Sequence, residues 1–368
     1  MDLKPAGRPL LTSVAAGSRP RLPGPDVVRA LALTGVVVMN YHGYLILRGG
    51  ERGTGSAATF FDPWVGPLAT RFAATFVLVA GVGVTLMTRR CRASGRGVTE
   101  MRFRLVRRGL VLYVGGLLLD EVWAGTIIPF YGAMFVLAAV MFTLRSRWLV
   151  VIAVSAASAG WAIRWWRWEQ ELAGESTAWL TSPDSGSILS PAYDVFVNGT
   201  HPLFPWLVFF CCGMLLARAF DSGWWRTAAL AGGFGLFALA NLVNASATTG
   251  FERVFLSTDP LQRGAIYSAS ALGTALVAYA TIDWLAERFT GALDPLRRAG
   301  QMTLSLYLAH VLVFKVFVEW SGWIEPAGLD VSLTFALTFW VVAILAALAW
   351  SARLGLGPAE RLYRALGG

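Results

Sequence analysis

Residues 329–352 read LDVSLTFALTFWVVAILAALAWSA, with no charge between Asp330 and Arg353. The run does not alternate apolar with polar side chains, so it is not the strand of a closed barrel. It is long enough to cross roughly 30 Å of hydrocarbon as a helix. Backbone N–H and C=O groups in lipid must be satisfied internally, which leaves an α-helix as the form this stretch takes.

The same reading extends along the chain. Further apolar blocks lie at 27–47, 64–87, 107–123, 127–144, 148–163, 203–219, 225–245, 265–285 and 299–318. With 329–352 they predict an all-α integral membrane protein of about ten transmembrane helices. The organisation expected is a cytoplasmic N-terminal tail at 1–26, a helical domain at 27–352 and a cytoplasmic C-terminal tail at 353–368. Composition agrees: 56% of the 368 residues are hydrophobic, only 14% are charged, and mean hydropathy is +0.57. A soluble domain of this length carries more charged surface.

The net charge of +9 does not mark a nucleic-acid binder, because the arginines sit in short loops between apolar blocks. Counted with the N-terminus inside, inner segments hold 22 Lys and Arg and outer loops hold six. The positive-inside bias therefore predicts that both termini are cytoplasmic, in a plasma-membrane protein in contact with anionic lipids. The longest outer connection, 164–202, is expected to cap an external opening. Residues 1–24 lack an apolar core, so no cleavable signal peptide is expected. Three cysteines make no disulfide framework and no metal-ligand spacing is present. The Asn198-Gly-Thr200 sequon is short enough to arise by chance. Gly81-x-Gly83, Gly115-Gly116 and Gly232-Gly233-x-Gly235 follow no strand, so close helix packing is their expected role.

Ionisable groups inside apolar helices are the candidate site residues. His42 lies about 15 residues into the first block, roughly 22 Å along it, and His310 roughly 16 Å into the ninth. Asn40, Tyr41, His42 and Tyr44 form one polar stretch in an otherwise apolar helix. An imidazole there can serve as base or nucleophile if a second group orients it, and Asp120 or Glu121 is the candidate partner. The plain alternatives are interhelical hydrogen bonds for the histidines and helix-end charges for the acids. Arg71 can bind an acceptor or pair with an acid. Lys315 and Glu319, spaced i,i+4, neutralise one another. The basic loop at 89–108 serves topology, or else some of its eight arginines (Arg89, Arg90, Arg92, Arg96, Arg102, Arg104, Arg107, Arg108), Arg89, Arg90 and Arg92 first among them, hold a phosphorylated donor, with Asp26 and Arg29 at the inner mouth of the first helix.

A family resemblance is carried by particular residues. Asp26-x-x-Arg29-Ala30-x-Ala32 running into Asn40-Tyr41 resembles the first helix of heparan-α-glucosaminide N-acetyltransferases and related YeiB-like bacterial membrane proteins. Phe76-x-x-x-x-Gly81-x-Gly83 resembles the second helix of that family. Pro202-x-x-Pro205-Trp206 with Gly213 resembles the sixth. Gly300-x-Met302-Thr303-Leu304-x-x-Tyr307 and Gly357-Pro358-x-Glu360-Arg361-x-x-Arg364 resemble the late helix and tail of the YeiB-like group.

The resemblance implies a transmembrane acyltransferase. Cytoplasmic acyl-coenzyme A, such as acetyl-CoA, is the donor, and the acceptor is an amine or hydroxyl of an envelope glycan or lipid on the far side. Asn40 then carries over as an active-site residue, with Arg71, Tyr41, Tyr307 and His310 as candidate substrate contacts. The family's catalytic histidine lies beyond the Asn-Tyr pair, where this chain, near Glu51, has none. Either His42 takes that role or this branch lacks the chemistry. The competing reading is a transporter or flippase whose path is lined by Arg71, His310 and Lys315, and a third is a non-catalytic membrane partner. A homodimer is compatible with each.

The orientation is directly testable. In a background with Cys91, Cys211 and Cys212 replaced, a cysteine at position 180 is expected to react with an impermeant maleimide in intact cells. One at position 95 is expected to react only after the membrane is opened. Labelling of position 95 in intact cells overturns the orientation.

Overall fold

The computed structural model describes residues 22–181 and 190–368, and the described residues are helical with no strand. The expectations for residues 1–21 and for the middle of the 164–202 connection lie outside them. Ten principal helices follow the ten apolar blocks: α1 Gly24–Leu47, α2 Arg71–Ser94, α3 Val98–Asp120, α4 Ile128–Met141, α5 Ser146–Ala173, α6 Leu203–Arg218, α7 Trp225–Ala245, α8 Ala265–Arg288, α9 Thr303–Phe314 and α10 Leu329–Leu354. A terminal amphipathic helix, α11, spans Pro358–Gly367. Seven segments are long and apolar enough to cross a membrane on their own. An eighth is added if the bent pair Ser190–Asn198 and Leu203–Arg218 counts as one span. The helices that fall short are α3, with four arginines in its first half, and α4, with 14 residues.

Local chemistry moves several expected boundaries. The second helix starts at Arg71 rather than near 64. Asp62 explains the difference: its Oδ1 accepts from the amides of Trp64 and Val65, each at 2.9 Å, and winds 62–65 into a turn. Gly95 and Gly97, at φ +68° and +66°, close α2 and open α3. The fifth helix runs on through the tryptophan-rich stretch to Ala173. The ninth block is broken at Gln301–Met302, behind a short helix, Asp294–Gly300.

α1 is the centre of the bundle and packs against α2, α8, α9, α10 and the short helix Asp294–Gly300. Over half of the apolar core of α1 and of α2 is buried (56% and 61%), against about a fifth for α5 and α7, so the latter two lie at the periphery. Their outward Val150, Val151, Val154, Leu239 and Leu242 make an apolar band suited to lipid.

The glycine clusters do mark close packing, one residue at a time. A Cβ on Gly213 of α6 would fall 1.9 Å from the Leu78 carbonyl oxygen, and one on Gly81 of α2 would fall 2.1 Å from that of Phe210. Gly116 faces Pro129 and Gly233 faces Gly273, whereas Gly115, Gly232 and Gly235 face open space. Ion pairs supplement this packing at the helix ends. Arg226 of α7 holds Asp283 of α8 at 2.6 Å. Lys315 meets Glu319 at 2.6 Å, as the spacing predicts, and Glu319 also takes Arg48 of α1.

Gly213→Ala is expected to lower the thermal midpoint markedly, since forced overpacking costs about 1–3 kcal/mol. Gly115→Ala, with nothing near its Cβ position, is expected to leave it unchanged or raise it. Equal midpoints for the two variants contradict the α2–α6 contact.

Candidate functional site

Two cavities enter the bundle from opposite ends of α1. The first, of about 330 Å³, opens at the end of α1 that carries Asn40, Tyr44 and Leu47. The second, of about 630 Å³, opens at the end that carries Arg29. Arg29 and Asn40 are eleven residues apart on one helix, which separates them by roughly 16 Å along its axis. Ile127 and Tyr307 border both cavities, so the two chambers meet there. The Tyr307 hydroxyl is hydrogen-bonded to Thr126 Oγ1 at 2.9 Å, which ties α9 to the start of α4 at that junction.

Asn40 and Tyr44 are the polar groups that the first helix offers to the first cavity, named the outer chamber, as the second is the inner, for the orientation expected from the sequence. The Asn40 Nδ2 lies 3.2 Å from His310 Nε2 across the α1–α9 interface. The His310 ring is fully buried, and its Nδ1 bonds the Tyr307 carbonyl oxygen one turn earlier. A carbonyl only accepts, so Nδ1 carries the proton. Nε2 is then the lone-pair nitrogen and accepts from the Asn40 amide. Tyr41, also fully buried, donates to the His310 carbonyl oxygen at 2.9 Å and stacks on Phe335 of α10. Trp123 lies edge-on to the His310 ring, 5.4 Å between centroids, and stacks on Tyr44. The imidazole therefore has one orientation and one tautomer.

The rest of the outer chamber comes from loops. Trp64 and Pro63 sit on the turn made by Asp62, whose Oδ2 accepts from Arg52 at 2.5 Å. Burial pulls the Asp62 carboxyl up. The Arg52 guanidinium and the two turn amides outweigh it and leave it below the usual carboxylate range. His201 bonds Thr200 Oγ1 at 2.9 Å, and its ring packs edge-on to Trp206. Arg263, in the left-handed conformation at φ +51°, donates to the carbonyls of Val197 and Asn198, each at 3.0 Å.

The inner chamber is basic at its mouth and apolar within. Arg29, Arg104, Arg108 and Arg364 line it together with Phe76, Leu112 and Phe135. Arg104 and Arg108 stand one turn apart on α3, and Arg364 comes from α11. That last helix is pinned by Glu360, which accepts from the amides of Leu304 at 2.7 Å and Ser305 at 3.1 Å and so caps α9. The Tyr131 hydroxyl is buried beside this chamber with no partner among the described residues.

The structure brings together only some of the residues singled out from sequence. Asn40, Tyr41, Tyr307 and His310 meet in one network, and Arg29 enters the inner chamber. Asp26 pairs with Arg29 at 3.3 Å and accepts from Gln301 at 3.1 Å. Of His42 and His310, neither ring borders a cavity, but His310 bonds Asn40, which does, and His42 does not. The His42 Nδ1 is 3.1 Å from Ser332 Oγ, whose own proton goes to Gly328, so the imidazole donates there and leaves Nε2 without a partner. Asp120 and Glu121 are exposed, and Asp120 accepts from the amides of Gly125 and Thr126 rather than orienting a histidine. Arg71 makes no ion pair among the described residues; its guanidinium lies 5.7 Å from the Tyr267 ring centre. Arg90 and Arg92 are exposed and Arg89 pairs with Asp221, so this trio borders neither chamber. Of the basic-loop arginines considered as donor contacts, Arg104 and Arg108 reach the inner chamber, whereas sequence reading passed over Arg364, His201 and Arg263 as site residues. The four-residue spacing of Arg104, Arg108 and Leu112 was the available signal for the inner set.

No group of three or more potential metal ligands occurs among the described residues. Comparison with known families bears on the two chambers together. A model described as heparan-alpha-glucosaminide N-acetyltransferase, catalytic, matches residues 21–248, which is more than half of the chain. A second, described as a protein of unknown function (DUF418), matches residues 209–367. Each chamber draws side chains from both regions: Asn40 or Arg29 from the first, Tyr307 from the second. No curated protein sequence matches the chain. With its polytopic apolar helices and the match over most of its N-terminal two-thirds, the chain belongs to the heparan-α-glucosaminide N-acetyltransferase catalytic family of membrane proteins.

Proposed function

We propose that this protein moves an acetyl or other acyl group from acyl-coenzyme A in the inner chamber to an amine or hydroxyl in the outer chamber. The acceptor is an envelope sugar or lipid, the inner chamber faces the cytoplasm, and the membrane is the plasma membrane. The single observation that supports the reading is the shared wall at Ile127 and Tyr307, where a basic chamber and the Asn40-lined one adjoin inside the bundle. A thioester carried in from one side can meet a nucleophile held on the other without either substrate crossing.

The residues suit that division of labour. Four arginines at an apolar cleft match a ligand with phosphates at one end and a thin uncharged arm at the other. Arg29, Arg104, Arg108 and Arg364 hold the phosphates, and Phe76, Leu112 and Phe135 guide the arm toward Tyr307. On the outer side His310 Nε2 is the base that takes the acceptor's proton as its N or O attacks the acyl carbon. The carbon–sulfur bond breaks, and the leaving sulfur takes up the proton that His310 removed from the acceptor, so that coenzyme A departs inward as the thiol and the imidazole is neutral again. The Nδ1–H bond to the Tyr307 carbonyl keeps the Nε2 lone pair on the side of Asn40, the residue that lines the chamber, and stabilises the imidazolium that forms. The Asn40 amide, released from Nε2 as the acceptor enters, donates to the oxygen that gains charge. The acid expected to orient the histidine is thus replaced by a backbone carbonyl.

Two experiments test this. Purified protein is expected to gain thermal stability from acetyl-coenzyme A, because a ligand bound only by the folded state raises it. Arg104→Gln with Arg108→Gln is expected to remove most of the gain, and the Arg89, Arg90 and Arg92 to Gln triple variant to keep it. The reverse pattern moves the donor to the exposed loop, and no response in wild type removes the donor altogether. In an assay of thiol release with glucosamine as probe acceptor, His310→Ala and Asn40→Ala are expected to lower turnover by about 10²-fold or more. His42→Ala is expected to cost far less. Full activity in His310→Ala refutes the assignment of the base.

A further inference from the structure

Beside the outer chamber lies a third cavity, of about 230 Å³, that shares Leu261 and Arg263 with it. Three guanidinium groups converge on this cleft: Arg164 and Arg167 from α5 and Arg263 from the loop before α8. Arg164 is eighteen residues from the start of α5, roughly 27 Å along it, at the end of the bundle where the outer chamber opens. The ordinary role for such arginines is to reach the interface or to pair with acids, and neither accounts for all three. Arg164 bonds Gln262 at 3.3 Å and meets Glu171 at 3.4 Å. Glu171 is the only acid bonded to any of the three among the described residues. Arg263 gives its Nη1 to the carbonyls of Val197 and Asn198. The Nε of Arg167 is buried with no partner among the described residues, and so is the Oδ1 of Asn198 on the same wall. Burial and the neighbouring Arg167 charge push the Arg263 guanidinium below its ordinary range. Cationic groups held close together with unsatisfied donors call for an anion.

The geometry points to a subsite for a phosphate-type oxyanion at Arg164, Arg167 and Arg263, which anchors an anionic acceptor with its reactive amine or hydroxyl in the adjoining chamber. This rests on the transfer reading for the role of that chamber, but the anion site itself does not. Guanidinium N–H groups meet the oxyanion in planar pairs, and the free Asn198 Oδ1 takes a hydrogen from a hydroxyl borne by the same ligand. The phosphate belongs either to a lipid headgroup in the outer leaflet or to a soluble phosphorylated glycan.

The test uses the full-length chain in neutral detergent with inorganic phosphate as probe, against sodium chloride at matched ionic strength. Phosphate is expected to raise the thermal midpoint of wild type. The Arg164→Gln, Arg167→Gln double variant is expected to need about tenfold or more phosphate for the same rise, the scale of losing charge-assisted hydrogen bonds. Arg167→Gln alone, which removes no hydrogen bond of the fold through Nε, serves if the double variant is unstable. It is expected to shift the response in the same direction. The Arg104→Gln, Arg108→Gln variant, which weakens any phosphate binding in the inner chamber, is expected to keep the part of the response that the outer variants lose. An unchanged phosphate response in both outer variants, or its loss in the inner variant alone, overturns the subsite. Nanodiscs distinguish the sources. If phosphatidylglycerol mixed into phosphatidylcholine suppresses the phosphate response, the headgroup is the occupant. If it does not, the anion arrives on a soluble glycan. Retained stabilisation by acetyl-coenzyme A in the outer variants keeps the two proposals separate, since its absence in wild type sinks the transfer reading alone.

Discussion

Lipid chains are as apolar as leucine, so helices in a bilayer gain little by hiding apolar side chains from them. What holds this bundle together is therefore close backbone approach, and that approach is available only where a side chain is missing. Gly81 and Gly213 bring α2 and α6 so near that a single methyl would overlap a carbonyl oxygen. Gly35 faces the Phe72 ring, and Gly300 lies against the Asp26 carbonyl, which seats the short helix before α9 on the start of α1. Dispersion forces fall off steeply with distance, so these few contacts decide which helices are neighbours.

Once α1 is enclosed by α2, α8, α9 and α10, its polar residues have few places to go. The helical repeat turns successive residues through about 100° and so sends neighbours in sequence to different partners. Asn40 faces α9 and the outer chamber, Tyr41 faces α9 and α10, and His42 faces α10 alone. Three adjacent residues that read as one polar patch thus become three separate contacts, only one of which opens on a cavity. The same logic divides the arginines. Those of α3 at 104 and 108 turn inward to a chamber, whereas Arg90 and Arg92, at the end of α2, stay in solvent.

Polar groups buried in this bundle are costly unless paired, and the pairing carries chemical information. His310 is held by a carbonyl on one nitrogen and an amide on the other, a combination that admits only one neutral tautomer. His42 is held on one nitrogen only. The first arrangement places a lone pair on Asn40, which lines the outer chamber; the second ties α1 to α10. At the outer end, the Asp62 turn and the carbonyl bonds of Arg263 shape the loops that complete the chamber, which helices alone leave open.

Much of the architecture was legible in the sequence. Uninterrupted apolar runs and arginine placement determine an all-helical membrane protein and mark where each helix lies, because transfer into lipid depends on composition and length. The quoted motifs likewise pointed to the family, and the i,i+4 spacing of Lys315 and Glu319 to their pairing. Boundaries set by a side chain capping a turn, as at Asp62, were not legible, since the turn competes with the helix on local hydrogen bonds. Nor was it legible that His310, and not His42, bonds Asn40. Both are histidines in apolar helices, and sequence records their type and depth but not their azimuth relative to helices far away in the chain. Only tertiary packing decided that Asn40 meets His310 across 270 positions and that Arg29, Arg104, Arg108 and Arg364 share one chamber. Those meetings depend on the rotation of each helix about its own axis, which is set by where its neighbours can approach.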